Sequence, residues 1–384
     1  MGSFLEKLAL EAEVAMVNFV RPSELRWASP VISGLAQIEQ VPFPQYLDLT
    51  SKQLVSHKLR MLKRWGLDRK PLLVAKHWSP VMAELLKRTA RDFKPDVVMI
   101  EFAVMAQYLK LFPDIPTVMT DHECGEPLPG KIGPWGIGRR RDRKLWEKYV
   151  RETYPQASLI QALNTEDAAD LARTLGRPVE VRPPVVPIPK HPANPAKAPP
   201  HCLFMGDFTH HPNPEAAAHL AHEVWPKVLE KQPGAQLLIA GPRASNHTKS
   251  LGTLPGVQFL GYVEDLQALL GRVRLVLAPL FSGNGSRIKV ITALAHGLPV
   301  ISNQLGMRGI EAPQDIAQRA ESSRELAETT LRLLEDPDLS GSLGHAARLW
   351  VQKNIDPHAL AQQQIERFAT ISTPASDHAE PATQ

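Results

Sequence analysis

The chain has 384 residues, 43% of them hydrophobic and 22% charged, which is enough apolar content for more than one core and, at roughly 150 residues per domain, points to two domains rather than to chain-wide disorder. Two cysteines, Cys124 and Cys202, stand in neither a CxxC pair nor a His-rich cluster, so neither a disulfide framework nor a structural zinc site is expected. No apolar run approaches the roughly 18 to 20 residues that span a bilayer, and the start lacks a basic stretch followed by an apolar core, so the expected compartment is the cytoplasm. The net charge of +4 is unevenly spread, with 29 Lys and Arg against 22 Asp and Glu in residues 1–200 and 15 against 18 thereafter. A basic first half suits an anionic surface or an acidic partner.

In chain order, MGSFLEKLALEAEVAMVNFV reads as a helix running into a strand, where a doubly wound domain normally opens with a buried strand and a glycine turn. The expectation is that the first strand and its glycine loop are lacking. Short β-branched runs follow at 96–102, 116–122, 158–164 and 179–184, separated by helical patterns. Residues 183–200 carry eight of the 35 prolines, which precludes a regular ladder or helix, so the boundary falls there with 191–200 as linker. Beyond it HCLFMGDF, AQLLIAG, GVQFLGYV, RLVLAPLF and LPVISNQL alternate with amphipathic stretches. Alternation of this kind implies an α/β fold, two doubly wound parallel-sheet domains, 1–190 and 201–371, facing a cleft in which a ligand binds beyond the strand ends. The tail 372–384 has almost no apolar content and reads as disordered.

The segment PLFSGNGSRIKVITALAHGLPV (279–300) combines a strand end, a glycine turn and a helix start. Gly283 and Gly285 allow close backbone approach, Ser286 is a candidate cap, and a helix N-terminus with Arg287 and Lys289 beside it suits an anion such as a diphosphate. Taken alone, the same pattern also describes a glycine turn with two solvated basic residues.

The stretch from His201 to Glu311 resembles the C-terminal domain of the group-1, retaining, GT-B-fold nucleotide-sugar glycosyltransferases. Three matches carry the resemblance: FMGDFTHHPNPEAA, with Gly206, His210 and Asn213; AQLLIAGPR followed by VQFLGYVEDL; and GNGSRIKVITALAHGLPVIS. The first half is similar to the same family through DVVMIEFAVMAQYL, TVMTDHE and a basic helix leading to Thr165, Glu166 and Asp167. The resemblance implies transfer of a sugar from a nucleoside diphosphate sugar to a hydroxyl, with retention, in polysaccharide or glycoconjugate assembly. It implies Lys289 and Arg287 at the diphosphate, backbone around Tyr262 and Val263 at the base, and Gly206, Gly283, Asn284, Gly285, Ser286, Ile288 and Thr292 around the donor. His122 falls where relatives face the transferred sugar, with Glu101 and Asp121 on the acceptor side. Fixed positive groups at the departing diphosphate replace an obligatory metal, and no cofactor beyond the nucleotide-sugar co-substrate is expected. Asn284 and Thr292 stand where the family has a glutamate pair, so a non-catalytic binding or scaffold relative is the competing reading. A response to nucleoside diphosphates in a thermal-shift screen separates the two.

The acceptor expected is a glycan or a lipid-linked glycan, and nucleic acid is disfavoured by an aromatic content of 6%. Residues 139–151, RRRDRKLWEKYVR, carry seven basic residues, Arg139, Arg140, Arg141, Arg143, Lys144, Lys148 and Arg151, against Asp142 and Glu147. Two readings stay open for that helix: peripheral contact with anionic lipid at the inner face of the plasma membrane, with Trp146 and Tyr149 as interfacial anchors, or a solvated face whose arginines pair with Asp142, Glu147 and Glu152.

Overall fold

A computed structural model describes residues 2–20, 34–43, 51–122, 136–283 and 287–372, with the side chains of 51–54 and 136–139 left out of the description. Cys124, the Asn284–Ser286 tripeptide and the tail beyond Ser372 lie outside the described residues. The chain divides into two compact units, one built from 1–183 with 358–384 and the other from 184–357. No described helix is long and apolar enough to cross a membrane.

In the first unit, the helix Gly2–Glu11 leads to β1 (Ala15–Val20), which pairs in parallel with β2 (Gln37–Pro42). A separate four-stranded parallel sheet follows in chain order: β3 (Val98–Glu101), β4 (Thr117–Asp121), β5 (Leu159–Ala162) and β6 (Glu180–Val181). All five residues of β4 are buried, as expected of a strand with neighbours on both sides. The helix Gly136–Thr153 turns Asp142, Leu145, Trp146, Tyr149 and Val150 inward, a spacing of three and four that makes one helix face. Trp146 and Tyr149 are therefore core residues at 4% and 2% exposure, which corrects their reading as interfacial anchors. Thr165 begins the helix Thr165–Leu175, whose cap is Asn164 with its side-chain oxygen accepting from the Asp167 N–H at 2.8 Å.

The last helix, Pro357–Ser372, groups with this first unit rather than with the second. Gln161 in β5 donates to Gln364 Oε1 at 3.0 Å, and Arg367 pairs with Glu180 at 3.2 Å. Contacts between residues some 200 apart in sequence place this helix, so a linear division at residue 200 could not anticipate it. The Pro-rich stretch likewise packs on the second unit, burying Val185, Val186 and Ala198 and donating from Ala193 N–H to the His296 carbonyl at 2.8 Å.

The second unit holds six parallel strands: β7 (His201–Met205), β8 (Gln236–Ala240), β9 (Val257–Gly261), β10 (Leu275–Leu277), β11 (Val300–Ser302) and β12 (Ala317–Arg319). Their order is β12-β11-β10-β7-β8-β9, so the chain leaves β7 in one direction for β8 and β9 and then crosses to β10 on the other side. The reversal falls between β7 and β10, and ligands of open parallel sheets bind outside the carboxyl ends of the strands at such a switch point. Trp225, Phe204, Leu203 and Leu237, all fully buried, fill the core around these strands.

Candidate active site

Two segments leave the sheet at this switch point, the β7 loop from Gly206 to Asn213 and the β10 loop ending in the helix Ile288–Ala295. They are held together by close backbone approach. Gly283 has φ +92°, and a Cβ there would lie 2.5 Å from Cγ of Pro212, so the β10 loop passes the start of the helix Pro212–His219 with room for hydrogen only. A Cβ on Gly206 would meet the Asn213 side chain at 2.7 Å. Asn303, after β11, pins the β10 strand end by accepting from Leu280 N–H at 3.1 Å and donating to the Leu280 carbonyl at 2.7 Å.

Lys289 stands in the first turn of the helix and reaches back across this junction. Its Nζ donates to Asn213 Oδ1 at 2.5 Å and lies 4.6 Å from the centre of the Phe204 ring. Asn213 is fixed in turn by its Nδ2 donating to the Asp207 carbonyl at 2.7 Å. Burial, with the neighbouring Arg287 charge, lowers the Lys289 ammonium from its ordinary value to about 7. Among the described residues, no carboxylate meets this ammonium.

Arg287 is itself buried and braces the two loops around it. Its Nε and Nη2 donate to the Leu305 carbonyl at 3.1 and 2.9 Å, and Nη2 also reaches the Gly283 carbonyl at 3.3 Å. These bonds stitch the β10 loop to the loop after β11 and keep the Arg287 charge beside Lys289. The helix begins at Ile288 with Arg287 in the cap position, so the expected cap Ser286 precedes it and, with Asn284 and Gly285, lies outside the described residues. Ile288 is exposed and Thr292 half-buried. Thr292 is three residues after Lys289 and therefore shares its helix face, while its carbonyl accepts from His296 Nδ1. Tyr262, which is exposed, and Val263 follow β9 at the sheet edge, beyond Gly261 at φ +70°.

In the first unit the predicted acceptor-side residues form a different arrangement. Glu101, at the end of β3, accepts from Arg182 Nη2 at 2.7 and 2.9 Å through both oxygens and meets His122 Nε2. Phe102 stacks on the His122 ring at 4.1 Å and has φ +74°, a conformation that a bulky residue adopts at a cost. Burial alone would raise the Glu101 carboxyl, but Arg182 and His122, with a bond from Thr120, outweigh it and hold the carboxyl below its ordinary range. Asp121 does not open toward solvent: it is buried and accepts from the Tyr154 hydroxyl at 2.8 Å. Cys202 is buried in β7, where burial pushes its thiol well up, and among the described residues no three His, Cys, Asp or Glu side chains gather as a metal-binding group.

Two parallel-sheet units, the second with its strand order reversed beside a half-buried lysine, define an α/β protein of GT-B architecture. Residues 55–188 match the family model Glycosyltransferase Family 4 and residues 199–336 the model Glycosyl transferases group 1, and the chain belongs to this family of group-1 glycosyltransferases. Solved structures of the same fold include S. aureus TarM, at 14% identity over 75% of this chain and 58% of TarM with a TM-score of 0.58. Anabaena HepE in complex with UDP and glucose aligns at 14% identity over 96% and 95% of the two chains with a TM-score of 0.65. A glycosyltransferase from Rickettsia africae aligns at 14% identity over 96% and 94% with a TM-score of 0.62. The chain thus spans less than two thirds of TarM's length, and at these identities the likeness is one of fold. No curated protein matches the sequence.

Asn213, Arg182 and Phe102 are the residues of these two clusters to which sequence reasoning gave no role at a site. Asn213 could have been found from its place in the HHPNP motif, whereas Arg182 lies 81 residues from the carboxylate it binds and carries no local signal.

Proposed function

We propose that the protein transfers a sugar from a nucleoside diphosphate sugar to a hydroxyl of a glycan or lipid-linked acceptor, with retention of anomeric configuration, in polysaccharide or glycoconjugate assembly. The observation that carries this reading is Lys289, a half-buried ammonium whose partners among the described residues are neutral groups, at the switch point of the second sheet. As the bond between the sugar carbon and the diphosphate breaks, negative charge grows on the departing oxygens, and preorganised donors there lower the barrier. Lys289 supplies such a charge, Arg287 adds to the local positive potential, and the start of the helix Ile288–Ala295 contributes its partial positive end. In this reading these groups do what a divalent ion does elsewhere, so no metal is obligatory.

The base of the nucleotide lies near Tyr262 and Val263 and the donor ribose near Thr292, whose hydroxyl both donates and accepts but lacks the two oxygens of a glutamate. His122, oriented by Glu101 and Phe102, acts on the sugar side. HepE is a fold relative solved with UDP and glucose, which is consistent with a nucleotide-sugar donor here. The test is a thermal-shift screen of UDP, GDP, ADP and dTDP: one of them raises the melting temperature of the parent, and Lys289→Ala abolishes that shift. No response to any of the four removes the donor reading.

A further inference from the structure

The basic helix 136–153 was the expected lipid contact, but its aromatic residues are internal, and several of its charges are engaged. Arg143 pairs with Glu147 at 3.3 Å and Lys148 with Glu152 at 3.5 Å, while Arg141 donates to the Gly66 carbonyl at 3.0 Å and lies 4.5 Å from the Trp65 ring. Cations without apolar anchors give only weak, salt-screened attraction.

The helix Ser51–Gly66, against which Arg141 rests, combines both features. Its sequence SKQLVSHKLRMLKRWG contains Lys52, Lys58, Arg60, Lys63 and Arg64 and no acidic residue. One face is inward: Trp65 Nε1 donates to the buried Asp142 at 3.0 Å, and Arg64 donates to Gln107 at 3.0 Å and lies over Trp78. The solvent-facing side, opposite Arg64, exposes Val55, Leu59 and Leu62 at 54%, 61% and 50%. At 100° per residue these three fall within an arc of about 60°, with Lys58 on one flank and Lys63 on the other. Lys58, Arg60 and Lys63 make no ion pair among the described residues. Hydrophobic residues in water on a helix that spends no acidic residue on its own basic charges are energetically idle unless something covers them.

We propose that the helix Ser51–Gly66 is an in-plane docking surface for an anionic lipid bilayer. Val55, Leu59 and Leu62 enter the boundary between headgroups and acyl chains, and Lys58 and Lys63, on long apolar stems, reach sideways to the phosphates. The charge complementarity names the occupant: an apolar stripe alone fits any hydrophobic partner, but one flanked by unopposed lysines on both sides fits a negatively charged apolar surface. The proposal is independent of the donor chemistry, because it rests on a different helix and a different unit.

The test is sedimentation of the full chain with phosphatidylcholine vesicles, with and without phosphatidylglycerol, at low and at high salt. The parent is expected to pellet only with phosphatidylglycerol and to be partly released by salt, since screening acts over about 8 Å at physiological ionic strength. The triple variant Val55→Ser, Leu59→Ser, Leu62→Ser is expected to partition more weakly by well over about tenfold. Its substitutions are all on solvent-facing positions, so its melting temperature should match the parent's, which distinguishes lost docking from lost fold. Lys58→Ser with Lys63→Ser is expected to remove the salt dependence, whereas Arg140→Ser with Lys144→Ser changes it little. A parent that stays in the supernatant with phosphatidylglycerol at low salt overturns the proposal, as does a triple variant that pellets as the parent does. A concentration-dependent dimer, seen by sedimentation velocity without lipid and lost in the triple variant, also overturns it by making a second copy the occupant.

Discussion

The two clusters that the strand ends present differ in how their charges are balanced. In the first unit, Glu101 sits between Arg182 and His122, so a half-buried carboxylate and a buried guanidinium neutralise one another within 3 Å. In the second unit, Lys289 has an amide oxygen and an aromatic face for company and another cation, Arg287, nearby. The first arrangement is complete without a ligand and fixes the geometry of His122. The second sets two cations side by side, and in the proposed reading the donor's diphosphate is what balances them. A site that binds by accepting charge and a site that works by holding a ring still should respond in opposite ways to the same kinds of change.

The largest effect is expected where the completed cluster is broken. Glu101→Leu leaves Arg182 buried without its partner and should cost about 3–5 kcal/mol of stability in urea unfolding, with most of it recovered in the double variant that also carries Arg182→Met. The lowered Glu101 carboxyl gives a pH signature as well. Its contribution is present above the unfolded-state value near about 4.3 and is lost as pH falls through the lower folded value, so this acid-sensitive part of the stability should be absent from the Glu101→Leu protein.

Next comes Lys289→Ala, which should leave stability intact or raised while reducing turnover about 10²- to 10³-fold, equivalent to about 2.7–4 kcal/mol for one preorganised donor. An unchanged rate in steady-state kinetics would remove Lys289 from the site. Gly206→Ala should follow at about 1–3 kcal/mol in thermal or urea unfolding, because the new methyl displaces Asn213 and with it the seat of Lys289. The smallest effect is expected from chelation: EDTA should leave turnover essentially unchanged, and loss restored by Mg²⁺ or Mn²⁺ would assign the charge-neutralising role to a metal.

Much of the architecture was legible from local pattern. The apolar runs that become β3 to β5 and β7 to β11 are short, β-branched and bounded by glycine or proline, and buried parallel strands demand that composition. The strands β2 and β12 escaped notice because QIEQVP and AQR are strands with a single partner and polar positions, and they take their strand character from a neighbour rather than from their own residues. Placement of the final helix depends on Gln364 and Arg367 meeting residues of β5 and β6, information no local window contains. Lys289 was recognisable because the glycine turn and helix start lie adjacent to it in sequence. That Arg287 turns inward was not, since its acceptor, the Leu305 carbonyl, comes from the next strand's loop. Trp146 and Tyr149 were misread even though their spacing with Asp142, Leu145 and Val150 already describes one buried face; the density of arginines concealed it.

Proton linkage tests the central claim, that Lys289 receives the donor's diphosphate, most directly. With burial and Arg287 lowering it to about 7, the ammonium is charged below that pH and neutral above it, and a bound diphosphate favours the charged form. Calorimetric titration with the nucleoside diphosphate that gives the largest thermal shift, in buffers of different ionisation enthalpy, should therefore show affinity falling as pH rises through about 7. Uptake should approach about one proton per ligand at roughly pH 8 and vanish in Lys289→Ala. Proton uptake that is absent in the parent, or equal in the parent and Lys289→Ala, would contradict the account.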